Sequence, residues 1–208
     1  MDKGRFISLE GGEGAGKSTQ LRRLAHVLRD RGLEVVETRE PGGSPGAEAI
    51  RKLLLEGGDD RWTPEAEALL FAAARADHVA KTIKPALNRG AWVLSDRFVD
   101  SSIAYQGGAG KLGYDVIRDM HAFGSKGVLP DRTFFLTLDP QLASTRARAR
   151  DQDGADRIGG RSTAYHAAVT EGFLSIAREE PGRIVCVDAA GTPDEVTSRL
   201  LAGLQDLL

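Results

Sequence analysis

The stretch Gly11-Gly12-Glu13-Gly14-Ala15-Gly16-Lys17-Ser18 is suited to hold a chain of phosphates. Glycines let the backbone curl without Cβ clashes and aim successive N–H groups inward. Lys17 can reach the β- and γ-phosphates of a nucleoside triphosphate, and the Ser18 hydroxyl can ligate Mg²⁺. The stretch fits the phosphate-loop pattern G-x-x-x-x-G-K-[ST] without a gap, and Thr19 completes the nucleotide-binding set. A second group is Asp96-Arg97, directly after the apolar run Ala91-Trp92-Val93-Leu94-Ser95. An acid there is the usual organiser of Mg²⁺ in a phosphate-loop protein. Arg97 could grip a second phosphate bidentately. A turn-capping Asp and a surface ion pair are the alternatives. Arg39 is a third cation with access to the same edge. Arginines beyond the phosphate loop point to a phosphorylated acceptor and not merely to nucleotide hydrolysis.

These residues can act together only if the chain brings them to one edge. Phe6-Ile7-Ser8-Leu9 precedes the loop, and Leu21, Leu24, Ala25 and Leu28 follow it at helical steps, so the loop joins a strand to a helix. The helix adds its positive N-terminal end. Further strands are expected at about 33–38, 91–95, 133–138 and 183–187. Helices are expected at about 17–30, 47–55, 64–88, 101–106, 114–123, from Asp139-Pro140, at 163–179, and from Thr192-Pro193 to near Leu208. Leu69, Leu70, Ala73 and Ala76 read as the apolar side of the long helix, and Gly107 to Gly110 as a break. The charged, Gly-rich run at 151–161 reads as a mobile loop. Alternating strands and helices imply a parallel sheet with right-handed crossovers and helices on both faces. Ligands then bind at the carboxyl ends of the strands, where the phosphate loop, Arg39 and Asp96-Arg97 all fall.

A chain of 208 residues suits one domain, 1–208. A net charge of -2 argues against wholesale nucleic-acid binding. Cys186, the single cysteine, lies in Ile184-Val185-Cys186-Val187 and reads as a buried packing residue. The N-terminus carries no signal-type apolar region, and no stretch has membrane-spanning length, so a cytoplasmic protein with no membrane partner is expected.

The run Leu94-Ser95-Asp96-Arg97-Phe98-Val99-Asp100-Ser101-Ser102-Ile103-Ala104-Tyr105-Gln106 resembles the thymidylate kinase signature. So do Thr38-Arg39-Glu40-Pro41-Gly42-Gly43 and Leu70-Phe71-Ala72-Ala73-Ala74-Arg75-Ala76-Asp77-His78. The phosphate loop and Asp156-Arg157 fall in the same order, and the likeness covers essentially the whole chain. The resemblance implies a phosphate-loop kinase-type three-layer α/β sandwich with five parallel strands in the order 2-3-1-4-5. It implies transfer of the ATP γ-phosphoryl to dTMP, giving dTDP and ADP, with Mg²⁺ held by Ser18 and Asp96, in a homodimer. Phe71 would stack on thymine, Arg75 would donate to a thymine carbonyl, and Ser102 and Gln106 would meet the base edge. Arg97, helped by Arg39, would hold the acceptor phosphate. Tyr105 would lie under the sugar and crowd out a 2′-hydroxyl. Glu13 would approach the 3′-hydroxyl or the acceptor phosphate.

The phosphate loop here has no basic residue besides Lys17, while the expected lid, about 146–162, holds Arg146, Arg148, Arg150, Arg157 and Arg161. This resembles the family design in which lid arginines supply catalytic charge, with Arg146 and Arg150 sharing a helix face. One departure is Gly159, where the family often has Glu. Kinases of dUMP, of modified pyrimidine nucleotides or of nucleosides are the nearest competing reading. A guanine-specific switch would need Asn-Lys-x-Asp, and Asn88, the only Asn, is followed by Arg89.

Overall fold

The computed structural model of the protein describes residues 4–58, 60–150 and 157–208; the side chains at 144 and 147–150 lie outside the described set. In chain order the elements are β1 (Phe6–Glu10), α1 (Lys17–Asp30), β2 (Val35–Arg39), α2 (Pro45–Leu55) and α3 (Pro64–His78). A π-helical segment, Val79–Ile83, continues α3 into α4 (Lys84–Asn88). Then come β3 (Trp92–Asp96), α5 (Val99–Ser102), a second π-helical segment (Ile103–Ala109), α6 (Tyr114–Ser125) and β4 (Arg132–Thr137). The chain ends with α7 (Pro140–Arg150), α8 (Thr163–Glu179), β5 (Ile184–Asp188) and α9 (Pro193–Ala202).

All strand pairs are parallel, in the order β2-β3-β1-β4-β5, as expected. Alternate residues face opposite cores. Phe6, Val93, Phe135 and Ile184 pack with α3, α4, α6, α8 and both π segments; Ile7, Leu94, Phe134 and Val187 pack with α1 and α9. The result is three layers. Register sets Leu9 and Arg39 on either side of Asp96, so the carboxyl ends of β1, β2 and β3 share one edge.

Helix starts follow local chemistry. The hydroxyls of Ser44, Thr63, Ser162 and Thr192 each accept a backbone N–H of the first turn, and Thr192 forms a capping box with Glu195. Asp139 Oδ1 accepts from Gln141 N and Leu142 N at the start of α7.

Four expectations need correction. In α3 the buried residues are Glu67, Ala68, Ala74, Arg75 and His78, while Leu69 is 57% exposed and Ala73 faces outward. On the inner face of this helix Arg75 lines a cavity, while Glu67 and His78 are buried against polar partners. Gly107 and Gly108 do not break the helix that begins at Val99; the π register carries it through to Ala109, with Gly110 N donating to Tyr105 O. Cys186 is exposed, because β5 is the edge strand. The last helix ends at Ala202 in a series of turns.

Candidate active site

The phosphate loop leaves β1 and enters α1, so its N–H groups and the N-terminus of α1 face the same space. Gly14 has φ +73, and a Cβ there would run into the backbone carbonyl of Ala143 in α7. Glycine is what lets the loop touch the start of α7. Lys17 Nζ donates to Gly11 O at 3.1 Å and Gly12 O at 2.8 Å. Burial, followed by repulsion from Arg97, lowers the Lys17 ammonium to about 8, although Asp96, Glu10 and Glu13 oppose the shift.

Ser18 Oγ donates to Asp96 Oδ2 at 2.6 Å, joining the first turn of α1 to the end of β3. Two hard oxygen donors beside the phosphate loop suit Mg²⁺, which takes few protein ligands and completes its shell with phosphates and water. Among the described residues no group of three or more His, Cys, Asp or Glu side chains is arranged to hold a metal ion, so a closed protein cage for a metal is not built there.

Arg97 sits at φ 71, an uncommon conformation for a side-chain-bearing residue. Its N donates to Leu9 O at 3.0 Å, and Ser95 Oγ donates to its carbonyl at 2.7 Å. These bonds turn its guanidinium onto the Tyr105 ring, 5.2 Å from the centroid, with Nη1 donating to Ser101 Oγ at 3.1 Å. Beneath the turn, fully buried Glu10 accepts from Phe98 N at 2.7 Å and Ser101 Oγ at 2.5 Å. Burial, and then the nearby Asp100 carboxylate, push the Glu10 carboxyl up to about 8.

Two cavities flank this centre. The larger, about 470 Å³, is lined by Gly14, Ala15, Gly16, Lys17, Ser18 and Thr19, together with Arg22, Arg146 and the loop carrying Ala189, Gly191 and Pro193. Arg146 Nη1 donates to Ala189 O at 3.3 Å. The smaller, about 100 Å³, is lined by Glu13, Phe71, Arg75, Arg97, Ser102, Tyr105 and Gln106 among others. Phe71 is half-buried and belongs to neither apolar cluster, so it is a cavity wall and not core. Arg75 is held from three sides: Nε donates to Glu40 Oε2 at 2.8 Å, and Nη2 donates to Ser102 Oγ at 2.7 Å and Phe98 O at 3.4 Å.

Other expected residues fall elsewhere. Arg39 is exposed, donates to Glu48, and is not among the cavity-lining residues; Arg51 lines the cavity instead. Arg157 is not a free lid cation. It is 5% exposed, with Nη2 donating to Glu67 Oε2 at 2.6 Å and Nε to Leu54 O at 2.9 Å. The side chains of Arg148 and Arg150, and Asp156 entirely, lie outside the described residues. At Gly159 a Cβ would meet the Glu13 carboxylate, so that carboxylate fills the space beside residue 159.

Sequence reasoning missed Glu10, Glu40, Glu67 and His78, all buried carboxylates or imidazole that position the site. For two of them a signal existed. Glu67, Phe71, Arg75 and His78 recur at steps of four, four and three, a single helix stripe.

A phosphate loop with a Ser–Asp pair at its mouth, and an arginine-lined cavity against its other side, define a phosphate-loop phosphotransferase that acts on a phosphorylated acceptor. The thymidylate kinase family model matches residues 9–200. The chain is 60% identical to the thymidylate kinase of Rhizorhabdus wittichii over 205 residues, 99% of both chains. It is 50% identical to that of Caulobacter vibrioides over 200 residues, 96% of this chain and 95% of that one. The crystal structure of thymidylate kinase from Ehrlichia chaffeensis superposes with a TM-score of 0.78 at 30% identity, covering 98% of this chain and 100% of the other. The chain belongs to the thymidylate kinase family.

Proposed function

We propose that the two cavities are the ATP and dTMP sites of the family's reaction, transfer of the ATP γ-phosphoryl group to dTMP to give dTDP and ADP. One observation carries this reading. The phosphate loop borders both cavities, Glu13 lining the smaller and Gly14 to Thr19 the larger, so donor and acceptor would meet across it.

In the acceptor site Phe71 stacks on the base, Arg75 donates to a base carbonyl, and Ser102 and Gln106 meet the base edge. Tyr105 underlies the sugar, Arg97 takes the acceptor phosphate, and Glu13 faces the sugar or that phosphate. In the donor site the phosphate-loop N–H groups and Lys17 hold the ATP phosphates, and Arg146 approaches from α7. Arg150 is the second lid cation in this proposal. Ser18 and Asp96 would hold Mg²⁺, which would supply charge neutralisation to the phosphates of ATP. The attacking group is a phosphate oxygen, already ionised, so no strong general base is needed. Rate enhancement comes from alignment and from cations facing a loose transition state.

The chain works as a homodimer through α3 and α6, supported by Leu69 at 57%, Val116 at 44% and Phe123 at 82% exposure on these two packed helices. It works in the cytoplasm, where both substrates occur, and no described helix is long and apolar enough to cross a membrane.

The test is a steady-state assay of Mg-ATP with a panel of nucleoside monophosphates. Preferred turnover of dTMP over dCMP, dAMP and dGMP is expected. Equal turnover of all four, or none of dTMP, overturns the reading.

A further inference from the structure

Glu67 lies in α3, 3% exposed, and its two carboxylate oxygens are divided between two tasks. Oε2 accepts from Arg157 Nη2 and from Arg161 Nη2, each at 2.6 Å. Oε1 accepts from Gln106 Nε2 at 2.9 Å. The arginines are themselves fixed: Arg157 by the Leu54 carbonyl, and Arg161 by the Tyr165 hydroxyl, which in turn donates to Tyr105 O at 3.0 Å. The carboxylate therefore cannot swing away from Gln106 without abandoning two guanidinium groups.

A primary amide has one accepting and one donating end, and a carboxylate only accepts. Glu67 thus fixes which end of Gln106 it binds, the NH₂. Gln106 lines the smaller cavity, and its Oε1 has no protein donor among the described residues and is not a buried, unpartnered atom. That oxygen is the group Gln106 can offer a ligand. A 2,4-dioxopyrimidine carries an N–H at ring position 3; a 4-aminopyrimidine carries a lone pair there. An oxygen facing that position attracts the first and repels the second.

We infer that Glu67 is a positioning residue for base selection: it locks the Gln106 amide with its oxygen toward the cavity, so the site accepts a pyrimidine with an N3–H and rejects its 4-amino counterpart. This rests on the reading of the smaller cavity as the nucleoside monophosphate site. It assigns to Glu67, which makes no contact with the substrate itself, a share of the specificity otherwise carried by Arg75. It also gives Arg157 and Arg161 a purpose, holding Glu67 in place.

The experiment compares kcat/KM for dTMP and 5-methyl-dCMP, which differ only in the 4-substituent and the N3 proton, in wild type, Glu67→Gln, Gln106→Met and the double variant. The introduced amide at 67 can donate as well as accept, so Gln106 is released to flip. Glu67→Gln is expected to lower the dTMP preference about tenfold or more, the scale of one mispaired buried group, with KM for ATP unchanged. Gln106→Met should do the same, and the double variant should lose no more preference than Gln106→Met alone, since coupled residues are not additive. If Gln106→Met loses the preference while Glu67→Gln keeps it, or if the two losses multiply, Glu67 does not act through Gln106 and the inference fails alone. If Gln106→Met changes neither the preference nor KM for dTMP, the base does not lie beside Gln106 and the reading of the cavity fails with it. Should Glu67→Gln not fold, the wild-type protein decides: the Gln106 side-chain amide protons should exchange slowly with solvent, free and with dTMP bound. Exchange as fast as that of an exposed amide overturns the lock.

Discussion

Arg75 Nε donates to Glu40 Oε2 at 2.8 Å, and both side chains are only 4% exposed. The other Glu40 oxygen meets His78 Nδ1 at 2.9 Å, and His78 Nε2 meets Thr38 Oγ1 at 2.7 Å. A buried relay thus runs from the end of β2 through α3 to Ser102, and Arg75 is its member at the cavity wall. Removing one partner of a buried ion pair leaves the other charge uncompensated, at a cost of about 3–5 kcal/mol. Glu40→Ala should therefore lower stability by that order in denaturant melts and raise KM for dTMP. Arg75→Ala should weaken dTMP binding by about 1–3 kcal/mol. Neither should alter ATP affinity much, because neither Glu40 nor Arg75 lines the larger cavity beside Gly14 to Thr19. Loss of ATP binding with dTMP binding intact would sink the assignment of Arg75 to the acceptor site.

Lys17 gives a pH prediction. Its ammonium is lowered from 10.5 to about 8 in the folded chain, by burial first and by Arg97 second. Between about 8 and 10.5 the unfolded chain holds this proton and the folded chain does not, so Lys17 makes stability rise with pH across that window. Below it, the folded protein bears the full cost of burying the charge. Phosphates arriving beside Lys17 favour the protonated form. ATP affinity should therefore be flat below about pH 8 and fall above it, by at most tenfold per pH unit. Calorimetric titration from pH 7 to 9.5 measures this directly, with proton uptake on binding near pH 8.5. Lys17→Met should abolish ATP binding yet raise the melting temperature of the free protein at neutral pH. A flat affinity profile to pH 9.5 would show that the ammonium is not depressed.

Glu13 and Gly159 divide one space between them. A Cβ at 159 would meet the Glu13 carboxylate, while the Gly159 backbone is not in the left-handed region, so alanine is conformationally allowed there. Gly159→Ala should displace the Glu13 side chain and raise KM for dTMP several-fold, leaving KM for ATP near wild type. In a Glu13→Ala background the same change should have no further effect, since the group it displaces is gone. Additive losses in the pair would separate the two residues.

The sheet and the phosphate loop were legible because local rules decide them: apolar runs, glycines at the loop, caps such as Thr63-Pro64 and Thr192-Pro193. The inner face of α3 was not. Leu69, Leu70, Ala73 and Ala76 form the more apolar stripe, yet the stripe turned inward is Glu67, Phe71, Arg75 and His78. Its polar members are satisfied by Glu40, Gln106, Arg157 and Arg161, partners that no local spacing reveals; Glu67 and Arg157 are 90 residues apart. Arg39 failed to reach the cavity for a related reason, since Glu48, nine residues on, takes its guanidinium. Cys186 sits among apolar neighbours, and only the position of β5 at the sheet edge exposes it.

The arginines at the two ends of the expected lid should behave differently. Arg146 lines the larger cavity, half-buried, and among the described residues its Nη1 donates to the Ala189 carbonyl at 3.3 Å. It can exchange that carbonyl for a phosphate at little cost. Arg157 is buried between Glu67 and Leu54 and would have to break a charge-assisted bond of 2.6 Å to reach the phosphate loop. Arg146→Ala should therefore lower kcat and kcat/KM together, the mark of an interaction made in the transition state. The loss should be on the order of 10³-fold if it is the principal cation, and less if neighbouring lid arginines substitute. Arg157→Ala should instead lower stability by about 3–5 kcal/mol, since it strips Glu67 of its most buried partner. Its residual folded fraction should keep kcat within a few-fold of wild type while the dTMP preference declines. Single-turnover rates at saturating ATP and dTMP, set beside melting temperatures for both variants, separate the two roles. A stable Arg157→Ala with kcat reduced as much as in Arg146→Ala would mean that the lid delivers Arg157 to the phosphates and that its bond to Glu67 breaks during turnover.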